Sequence, residues 1–337
     1  MGSINWGELF PGRWSPAIFI SYMALYVNQG IIVTWSQRNG SYEFNIIMVV
    51  LITEVLKLIA STILYCKDNS IANLCESIGE NKRVLLLYMI PSFLYCLYNN
   101  LAFINLAAFD PTTYYILLQF RVVVTGIIFQ VVFNQKLSVK QWFSLIILTI
   151  GCMVKHIDLD FDASIFNTKL NLNSNIIFIF VQTICSCLAG VYTEYLLKDR
   201  AKINIFVQNV FMYSDSIFWN LIILLVIFIS KSDISDMFSN VDASILLQPK
   251  VILIMLNNTG IGIITSFFLK NLNSIVKTFA SALELVFTAI LSWFIFSIPI
   301  HMNTVLSIAM VSYAVILYSQ NPVQNVCSTK KNVIIRA

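Results

Sequence analysis

The sequence predicts an all-α, polytopic membrane protein of ten transmembrane helices, arranged as two inverted repeats of five. The chain is 58% hydrophobic and 11% charged, whereas ordinary soluble domains carry about 25% charged residues. Apolar segments of about 20 residues, the length that crosses a bilayer, recur along nearly the whole chain. One long polar stretch in the middle separates these segments into two sets of five, and no separate soluble domain is expected.

The ten predicted spans define the organisation of the chain. They cover residues 16–36, 45–65, 84–107, 111–133, 138–155, 174–197, 205–229, 251–269, 274–297 and 299–319. The first 15 residues lack an apolar core followed by a small-residue cleavage site, so the first span is expected to act as an uncleaved signal. Four segments follow: a first five-helix repeat at 1–157, a lumenal linker at 158–173, a second five-helix repeat at 174–322 and a cytosolic tail at 323–337.

The distribution of lysine and arginine indicates the orientation. With a cytosolic N-terminus, the cytosolic segments hold 13 basic residues and the opposite side holds five, while Lys57, Arg121 and Lys277 fall inside spans. Because short basic loops stay in the cytosol, both termini are predicted to be cytosolic. The net charge of +4 is explained by this topology and does not indicate nucleic-acid binding.

A weak internal repeat relates the two halves. Moving the sequence by 163 residues places Asp110 on Asn273 and Arg121 on Glu284. An odd number of spans in each half means that the second half inserts upside down relative to the first. Secondary transporters are commonly built from such inverted repeats, with the substrate site near the midplane where the halves meet. The repeat therefore favours a transporter.

Arg121 stands in the middle of the fourth span, in an apolar run from Tyr114 to Gly126. A guanidinium stays protonated and pairs bidentately with phosphate or carboxylate, and a charge at the bilayer centre costs about 2.5 to 3.5 kcal/mol. Arg121 therefore predicts an anion inside the bundle. The anion is either a ligand or a carboxylate of the protein, for which Glu284 and Glu54 are the candidates.

Polar side chains in spans two and three add to this prediction. Glu54 and Lys57 are i, i+3 neighbours, which either pair with each other or line a wet cavity. Tyr98 and the adjacent carboxamides of Asn99 and Asn100 suit the recognition of a nucleobase or ribose. The same carboxamides equally suit hydrogen bonds between helices, because an unsatisfied amide in an apolar environment is costly.

The second half supplies a matching set. Asn209 and Tyr213 are i, i+4 neighbours in span seven, and Asp215 follows as a candidate proton-coupling carboxylate. Lys277 and Glu284 share a face of span nine because they are seven residues apart. A lysine and an arginine from opposite halves that meet at the midplane could clamp a diphosphate.

Catalysis is not indicated by the sequence. The chain has two histidines, His156 and His301, both near span ends. Paired carboxylates, a nucleophile motif and metal-ligand spacing, which would point to an enzyme, are not recognisable. We predict a transporter rather than an enzyme, with no cofactor and no bound metal.

Several motifs, in order along nearly the whole chain, carry a family resemblance. They are Thr53–Leu58, Tyr98–Phe103 followed by Asp110, Tyr114 and Gln119, Gly190–Glu194 with Lys198, Gln208–Tyr213, and Asn273–Phe279. The chain resembles the Golgi nucleotide-sugar transporters of the CMP-sialic acid and UDP-galactose type, which belong to the drug/metabolite transporter superfamily. It departs from the family at Arg121, where lysine is common, and at Asp215, where a small or hydroxylated residue is expected.

The resemblance implies a ten-helix antiporter in the Golgi membrane that works by alternating access. It would import a nucleotide sugar, with UDP-galactose the expected cargo, in exchange for the nucleoside monophosphate UMP. The expected substrate-binding residues are Tyr98, Asn99, Asn100, Tyr114, Gln119, Arg121, Asn209, Tyr213 and Lys277. The expected cavity or gating residues are Glu54, Lys57, Asp215 and Glu284. Membrane lipid is an expected partner, and a second copy of the chain or a glycosyltransferase is a candidate protein partner.

Three alternatives stay open at this point. The cargo could be another nucleotide sugar, such as a UDP-N-acetylhexosamine, UDP-glucose or CMP-sialic acid. The chain could be a proton-coupled metabolite exporter of the same fold, centred on Asp215 or Glu284. It could also be a membrane scaffold that keeps the fold without transporting.

Overall fold

The computed structural model describes residues 5–36, 46–108, 111–155, 174–230, 246–296 and 301–323. Within these ranges the regular structure is entirely helical, as predicted. The helices are α1 Trp6–Leu9, α2 Ser15–Ser36, α3 Ile46–Cys66, α4 Ile71–Glu80, α5 Lys82–Ala108, α6 Pro111–Leu118, α7 Arg121–Phe133, α8 Val139–Val154, α9 Ser174–Asp199, α10 Ile205–Ser230, α11 Pro249–Asn271, α12 Ser274–Phe296 and α13 Met302–Gln320. Asp110, His156, the linker at 158–173 and the tail from 324 onward lie outside the described residues.

Eight stretches in the described ranges are long and apolar enough to cross a membrane. They are Met48–Cys66, Lys82–Leu101, Ile116–Phe133, Ile177–Asp199, Ile205–Val226, Pro249–Asn271, Ser274–Ile295 and Met302–Gln320. Each coincides with one of the ten predicted spans. The other two predicted spans coincide with α2 and with α8, an apolar helix of 16 residues. The chain is thus an all-helical, polytopic membrane protein.

The fourth predicted span, expected as one continuous helix, is instead two helices. α6 ends at Leu118 and α7 begins at Arg121. Between them, the amide of Gln119 donates to the carbonyl of Ile116 at 3.2 Å, and the amide of Val122 donates to the carbonyl of Gln119 at 3.1 Å. These tight turns replace α-helical hydrogen bonds and change the direction in which successive side chains point. Broken helices are tolerated at membrane depth where they line a cavity.

The short helix α4 lies in the connection between the second and third predicted spans. Ser70 caps its N-terminus, because the Ser70 hydroxyl accepts a hydrogen bond from the amide of Asn73 at 3.2 Å. Leu74 is the buried residue of this helix and packs in a cluster with Tyr65 and Phe211. The helix therefore docks its apolar face against the ends of α3 and α10.

Two helices of opposite halves are joined by a carboxamide network. Asn257 on α11 donates to the carbonyl of Leu25 at 3.1 Å and to Oε1 of Gln29 at 2.9 Å. Asn28 donates in turn to Oδ1 of Asn257 at 2.9 Å. The polar residues in the middle of α2 are therefore satisfied by α11, as interhelical polar contacts in membranes require.

The helix boundaries repeat along the chain. The starts Pro111 and Ser274, the ends Phe133 and Phe296, and the starts Val139 and Met302 are each separated by 163 positions. This spacing matches the weak repeat in the sequence. It pairs α2 with α9, α3 with α10, α5 with α11, α6 and α7 with α12, and α8 with α13.

Helix packing follows the same correspondence. α5 packs on α9, and their counterparts α11 and α2 pack on each other. Likewise α10 packs on α5 as α3 packs on α11, and α7 packs on α9 as α12 packs on α2. The remaining large contacts, between α3 and α10 and between α8 and α13, join helices that are counterparts of each other. The described helices of the two halves therefore pack in equivalent ways.

We predict that the contact between α8 and α13 limits stability at Gly151. A Cβ atom added there would lie 3.0 Å from Cβ of Met310 and 3.4 Å from the backbone nitrogen of Val311, so the helices would have to separate. Gly151→Val should lower the free energy of unfolding by about 1 to 3 kcal/mol through overpacking. The apparent melting temperature in detergent measures this effect.

Gly79→Val is the matched control, because a Cβ atom at Gly79 on α4 has nothing within 4 Å. Both variants make the same change in helix propensity, so the difference between them isolates packing. Equal melting temperatures for the two variants would contradict the prediction.

Candidate functional site

Two cavities lie inside the helix bundle and share the lining residue Lys277. The first, which we call the arginine cavity, has a volume of about 100 Å³. It is lined by Gln119, Arg121, Val122, Thr125, Cys152, Ser186, Cys187, Gly190, Val191, Ser274, Lys277, Thr278, Ser281, Ala282 and Leu285. The second, the tyrosine cavity, has a volume of about 280 Å³. It is lined by Tyr26, Glu54, Lys57, Ser92, Tyr95, Asn99, Thr193, Met212, Tyr213, Ser216, Ile261, Gly262, Thr265, Ser266, Leu269 and Lys277.

The arginine cavity contains two cations from opposite halves. Arg121 is the first residue of α7, directly after the break in the fourth span, and Lys277 lies in the first turns of α12. Among the described residues, neither side chain has a carboxylate within the 4.0 Å of an ion pair. Two cations that face one enclosed space without such a partner favour an anion between them.

Glu284 does not neutralise Arg121 by direct contact. It lies within electrostatic range of both Arg121 and Lys155, but it forms no ion pair with either in the described structure. Lys155 instead donates from Nζ to the carbonyl of Leu285 at 3.2 Å. The carboxylate therefore acts on the arginine cavity from a distance and leaves the guanidinium open to a ligand.

The tyrosine cavity contains an ion pair and three aromatic rings. Nζ of Lys57 lies 2.7 Å from Oε1 of Glu54, so the pairing expected from their spacing is present, and both residues also line the cavity. The same Nζ lies 5.7 Å from the centre of the Tyr213 ring, a distance at which a cation is attracted to an aromatic face. Tyr26 and Tyr95 complete the aromatic part of the wall.

Gly262 makes room for this arrangement. A Cβ atom at this position would lie 2.8 Å from Cδ and Cε of Lys57 and 2.9 Å from the hydroxyl oxygen of Tyr213. These distances are shorter than van der Waals contact, so any side chain at residue 262 would displace the lysine or the tyrosine. Glycine at this position therefore leaves room for the ends of the Lys57 and Tyr213 side chains beside α11.

A buried polar cluster fixes the start of α12 and with it Lys277. The fully buried carboxylate of Glu194 accepts from the amide of Ser274 at 2.7 Å and from its hydroxyl at 2.6 Å. Nζ of Lys198 lies 2.6 Å from the other oxygen of Glu194 and donates to the carbonyl of Leu272. Asn273 caps the helix, because its Oδ1 accepts from the amide of Val276 at 2.8 Å.

This cluster was not among the site residues expected from the sequence. Glu194 and Lys198 are i, i+4 neighbours, which is a recognisable ion-pair signal. Their connection to the start of α12 joins residues 80 positions apart, and local spacing carries no information about such a pair. The carboxylate at a helix N-terminus also complements the partial positive charge of the helix dipole.

Several expected site residues line one of the two cavities. These are Glu54, Lys57, Asn99 and Tyr213 in the tyrosine cavity, Gln119 and Arg121 in the arginine cavity, and Lys277 in both. Asn99 and Asn100 point in different directions because adjacent helical residues are about 100° apart. Asn100 donates to the carbonyl of Cys96 at 2.8 Å within its own helix.

Tyr114 and Tyr98 are not among the lining residues of either cavity, although Tyr98 lies within electrostatic range of Arg121. The Tyr114 hydroxyl accepts from Nε2 of Gln182 at 2.8 Å, and Oε1 of Gln182 accepts from Asn105 at 2.6 Å. Tyr98 packs against the buried cluster that contains Tyr114 and Ile179. Arg121 and Thr125 both line the arginine cavity, whereas Tyr114, on the other side of the break at Gln119, lines neither cavity.

Asn209 and Asp215 are buried on α10 and line neither cavity. Nδ2 of Asn209 and Oδ2 of Asp215 have no hydrogen-bond partner among the described atoms. Within the described ranges, no group of three or more His, Cys, Asp and Glu side chains is placed to hold a metal ion. The chemistry of the two cavities is that of cations, hydroxyls, amides, phenols and thiols, with the Glu54 carboxylate in the tyrosine cavity.

Comparisons with known proteins find relatives over nearly the whole chain. The UDP-galactose transporter senju from Drosophila melanogaster is 53% identical over 355 aligned residues, which cover 96% of this chain and 90% of that protein. CMP-sialic acid transporter 1 from Oryza sativa subsp. japonica is 27% identical, covering 86% of this chain and 89% of that protein. A solved protein crystal structure superposes with a TM-score of 0.62 at 12% identity, covering 91% of this chain and 96% of that chain, and so shares the fold.

The family comparison covers almost the entire described bundle. Residues 18–319 match the nucleotide-sugar transporter family. The match confirms the prediction of a transporter rather than an enzyme. The chain belongs to the nucleotide-sugar transporter family.

Proposed function

We propose that the protein imports UDP-galactose into the Golgi lumen in exchange for UMP, by alternating access. The observation that carries the proposal is that Arg121 and Lys277 line one cavity, with no carboxylate of the described residues within ion-pair distance of either. A nucleotide sugar and a nucleoside monophosphate both carry phosphate, which pairs with guanidinium and ammonium groups. The 53% identity to a UDP-galactose transporter supports this cargo.

The uridine moiety fits the tyrosine cavity. Tyr26, Tyr95 and Tyr213 offer aromatic rings on which a base can stack, and stacking contributes about 1 to 3 kcal/mol per base. The carboxamide of Asn99 offers both a donor and an acceptor for the edge of the base or for the ribose. The phosphates then reach Lys277, where the two cavities meet.

An obligatory exchange follows from the charges. An empty carrier would expose Arg121 and Lys277 to the apolar bundle without an anion during reorientation, and unpaired intramembrane charges are costly. A carrier loaded with either ligand has its cations neutralised. Glu54 stays paired with Lys57 and Glu284 sets the local field, so both serve as cavity or gating residues.

The proposed architecture is ten transmembrane helices in two inverted five-helix repeats. The repeats comprise residues 1–157 and 174–322, with a lumenal linker at 158–173 and a cytosolic tail at 323–337. The common spacing of 163 positions between helix boundaries supports this division, and the excess of basic residues supports cytosolic termini. We propose a positioning role for four residues, which would hold the substrate-binding side chains in place without lining a cavity: Tyr98, Asn100, Tyr114 and Asn209.

A second candidate cargo is another nucleotide sugar. Relatives at 27% identity are named as CMP-sialic acid transporters, and Asp215 stands where the resemblance leads us to expect a smaller residue. A counterflow panel of nucleotide sugars against proteoliposomes preloaded with UMP, CMP or GMP decides between them. Uptake driven by a pH gradient without any nucleotide inside would instead favour a proton-coupled exporter that uses Asp215 or Glu284.

We predict that Arg121→Ala and Lys277→Ala each reduce uptake of UDP-galactose into UMP-loaded proteoliposomes to background. A hydrogen bond to a charged group contributes about 1.5 to 3 kcal/mol, and each variant leaves the phosphate with one cation fewer in an apolar site. Arg83→Ala and Lys140→Ala remove exposed cations of the same types and should retain uptake. Gel filtration verifies folding of all four variants, and normal transport by both cavity variants would refute the proposal.

We also predict that Gly262→Ala weakens UMP binding. The added methyl would displace the Lys57 side chain and the Tyr213 hydroxyl, which lie 2.8 to 2.9 Å from its position. The measurement is the rise in melting temperature with UMP concentration, because a ligand that binds the folded state stabilises it in proportion to ln(1 + [L]/Kd).

Gly260→Ala is the matched control on the same helix. A Cβ atom there would lie 3.5 Å from the side chain of Leu25, an ordinary contact distance. The apparent Kd for UMP should rise about tenfold for Gly262→Ala, a change of about 1.4 kcal/mol, and stay unchanged for Gly260→Ala. Equal affinities for the two variants would show that the tyrosine cavity does not hold the nucleotide.

A further inference from the structure

The walls of the two cavities carry a surplus of positive charge. Their charged lining residues are three cations and one carboxylate: Lys57, Arg121, Lys277 and Glu54. With all four groups charged, the surplus is two positive charges. UDP-galactose carries one negative charge on each phosphate, and UMP carries about two once the second phosphate pKa of about 6 is passed. Either nucleotide therefore neutralises the walls.

A further carboxylate lies directly behind the arginine cavity. Glu284 follows Lys277 by seven residues, so it lies on the same side of α12, about 10 Å further along the helix axis. The next residue, Leu285, lines the cavity. Glu284 is within electrostatic range of Arg121 and of Lys155. It therefore adds a negative charge to the electrostatic potential at Arg121.

Lys155 supplies an opposing positive charge from the end of α8. Its Nζ donates to the carbonyl of Leu285 at 3.2 Å, and its own carbonyl accepts from Nδ2 of Asn303 at 3.1 Å. These bonds hold the ammonium group beside the turn of α12 that carries Glu284. Neither charged group forms an ion pair among the described residues, so the two balance each other only at a distance. Together they leave the surplus in the cavity walls unchanged.

We propose that Glu284 and Lys155 are a charge-balancing pair, which matches the carrier to ligands with two negative charges and lowers its relative affinity for UDP, which carries about three. The proposal rests on the proposed function, because it assumes that the ligand is a uridine nucleotide. Without Glu284 the positive surplus rises by one charge and suits UDP better. Without Lys155 it falls by one charge and suits UDP less. The pair discriminates by ligand charge, and it does not contact the base or the sugar.

The test measures how strongly UDP and UMP inhibit the exchange of UMP for UMP in proteoliposomes at about pH 7.5. Glu284→Gln should lower the ratio of the UDP inhibition constant to the UMP inhibition constant about tenfold. One unit charge that acts over roughly 10 Å, at an effective dielectric constant of about 20, changes an affinity by this order of magnitude. Lys155→Gln should raise the ratio about tenfold, and the double variant should return it to the value of the unaltered protein.

Glu80→Gln is the matched control. Glu80 is an exposed carboxylate on α4, and water and salt screen its charge from the cavities, so the ratio should stay unchanged. Glu284→Asp and Lys155→Arg keep the charges and should also keep the ratio. The inhibition constant of UDP-galactose relative to UMP should stay constant in every variant, because these two ligands carry the same charge. A merely structural role would weaken exchange without opposite shifts for Glu284→Gln and Lys155→Gln.

The outcomes separate the two proposals. If the unaltered protein exchanges no uridine nucleotide, the proposed function fails. If it exchanges UMP and UDP-galactose, but the ratio for UDP and UMP is the same in both glutamine variants as in the unaltered protein, the charge-balancing pair is refuted while the proposed function stands. Shifts in the same direction refute it as well. If one glutamine variant does not fold, the other decides, because an unchanged ratio in that variant refutes the pair.

Discussion

The structure depends on keeping two basic side chains inside an apolar helix bundle, with no carboxylate of the described residues within ion-pair distance of either. Arg121 and Lys277 come from different halves of the chain and line the same cavity. Coulombic repulsion between them has to be balanced by a ligand or by the surrounding protein, because water is scarce at this depth. Of the carboxylates nearby, Glu54 pairs with Lys57 and Glu194 with Lys198, while Glu284 lies within electrostatic range of Arg121 but forms no ion pair among the described residues. Among the described residues, Arg121 and Lys277 therefore remain available to pair with an anionic ligand.

The starts of α7 and α12 place Arg121 and Lys277 at the arginine cavity. α7 begins at Arg121 because the fourth span breaks at Gln119, and α12 begins at Ser274, one turn before Lys277. Both helix starts therefore lie at the arginine cavity, where the partial positive charge of a helix N-terminus adds to that of the side chains. At α12 the buried Glu194 limits this field and fixes the position of the first turn. The same residues that create the attraction for an anion also set its geometry.

Much of the fold was predictable because it follows from composition and periodicity. Apolar runs of membrane length gave the helices, and the repeat at 163 residues recurs in the helix boundaries. The break at Gln119 was not predictable, since residues 112–125 contain neither proline nor glycine. The sequence does not distinguish Asn99 from Asn100. Because they point to different sides of the helix, Asn99 lines the tyrosine cavity and Asn100 donates to the carbonyl of Cys96. Glu194 was visible as half of an ion pair, but its bond to Ser274 is a long-range contact.

Lys277 is the one described residue that borders both cavities, and this affects how the protein can be inhibited. Two small anionic fragments, one in each cavity, would compete for a single ammonium group and could not bind independently. The free energy of binding both fragments together would be less favourable than the sum of their two separate binding free energies. A linked molecule that places one shared negative charge at Lys277 avoids this conflict. An inhibitor of this transporter would therefore carry one negative group for Lys277 and extend from that group into both cavities.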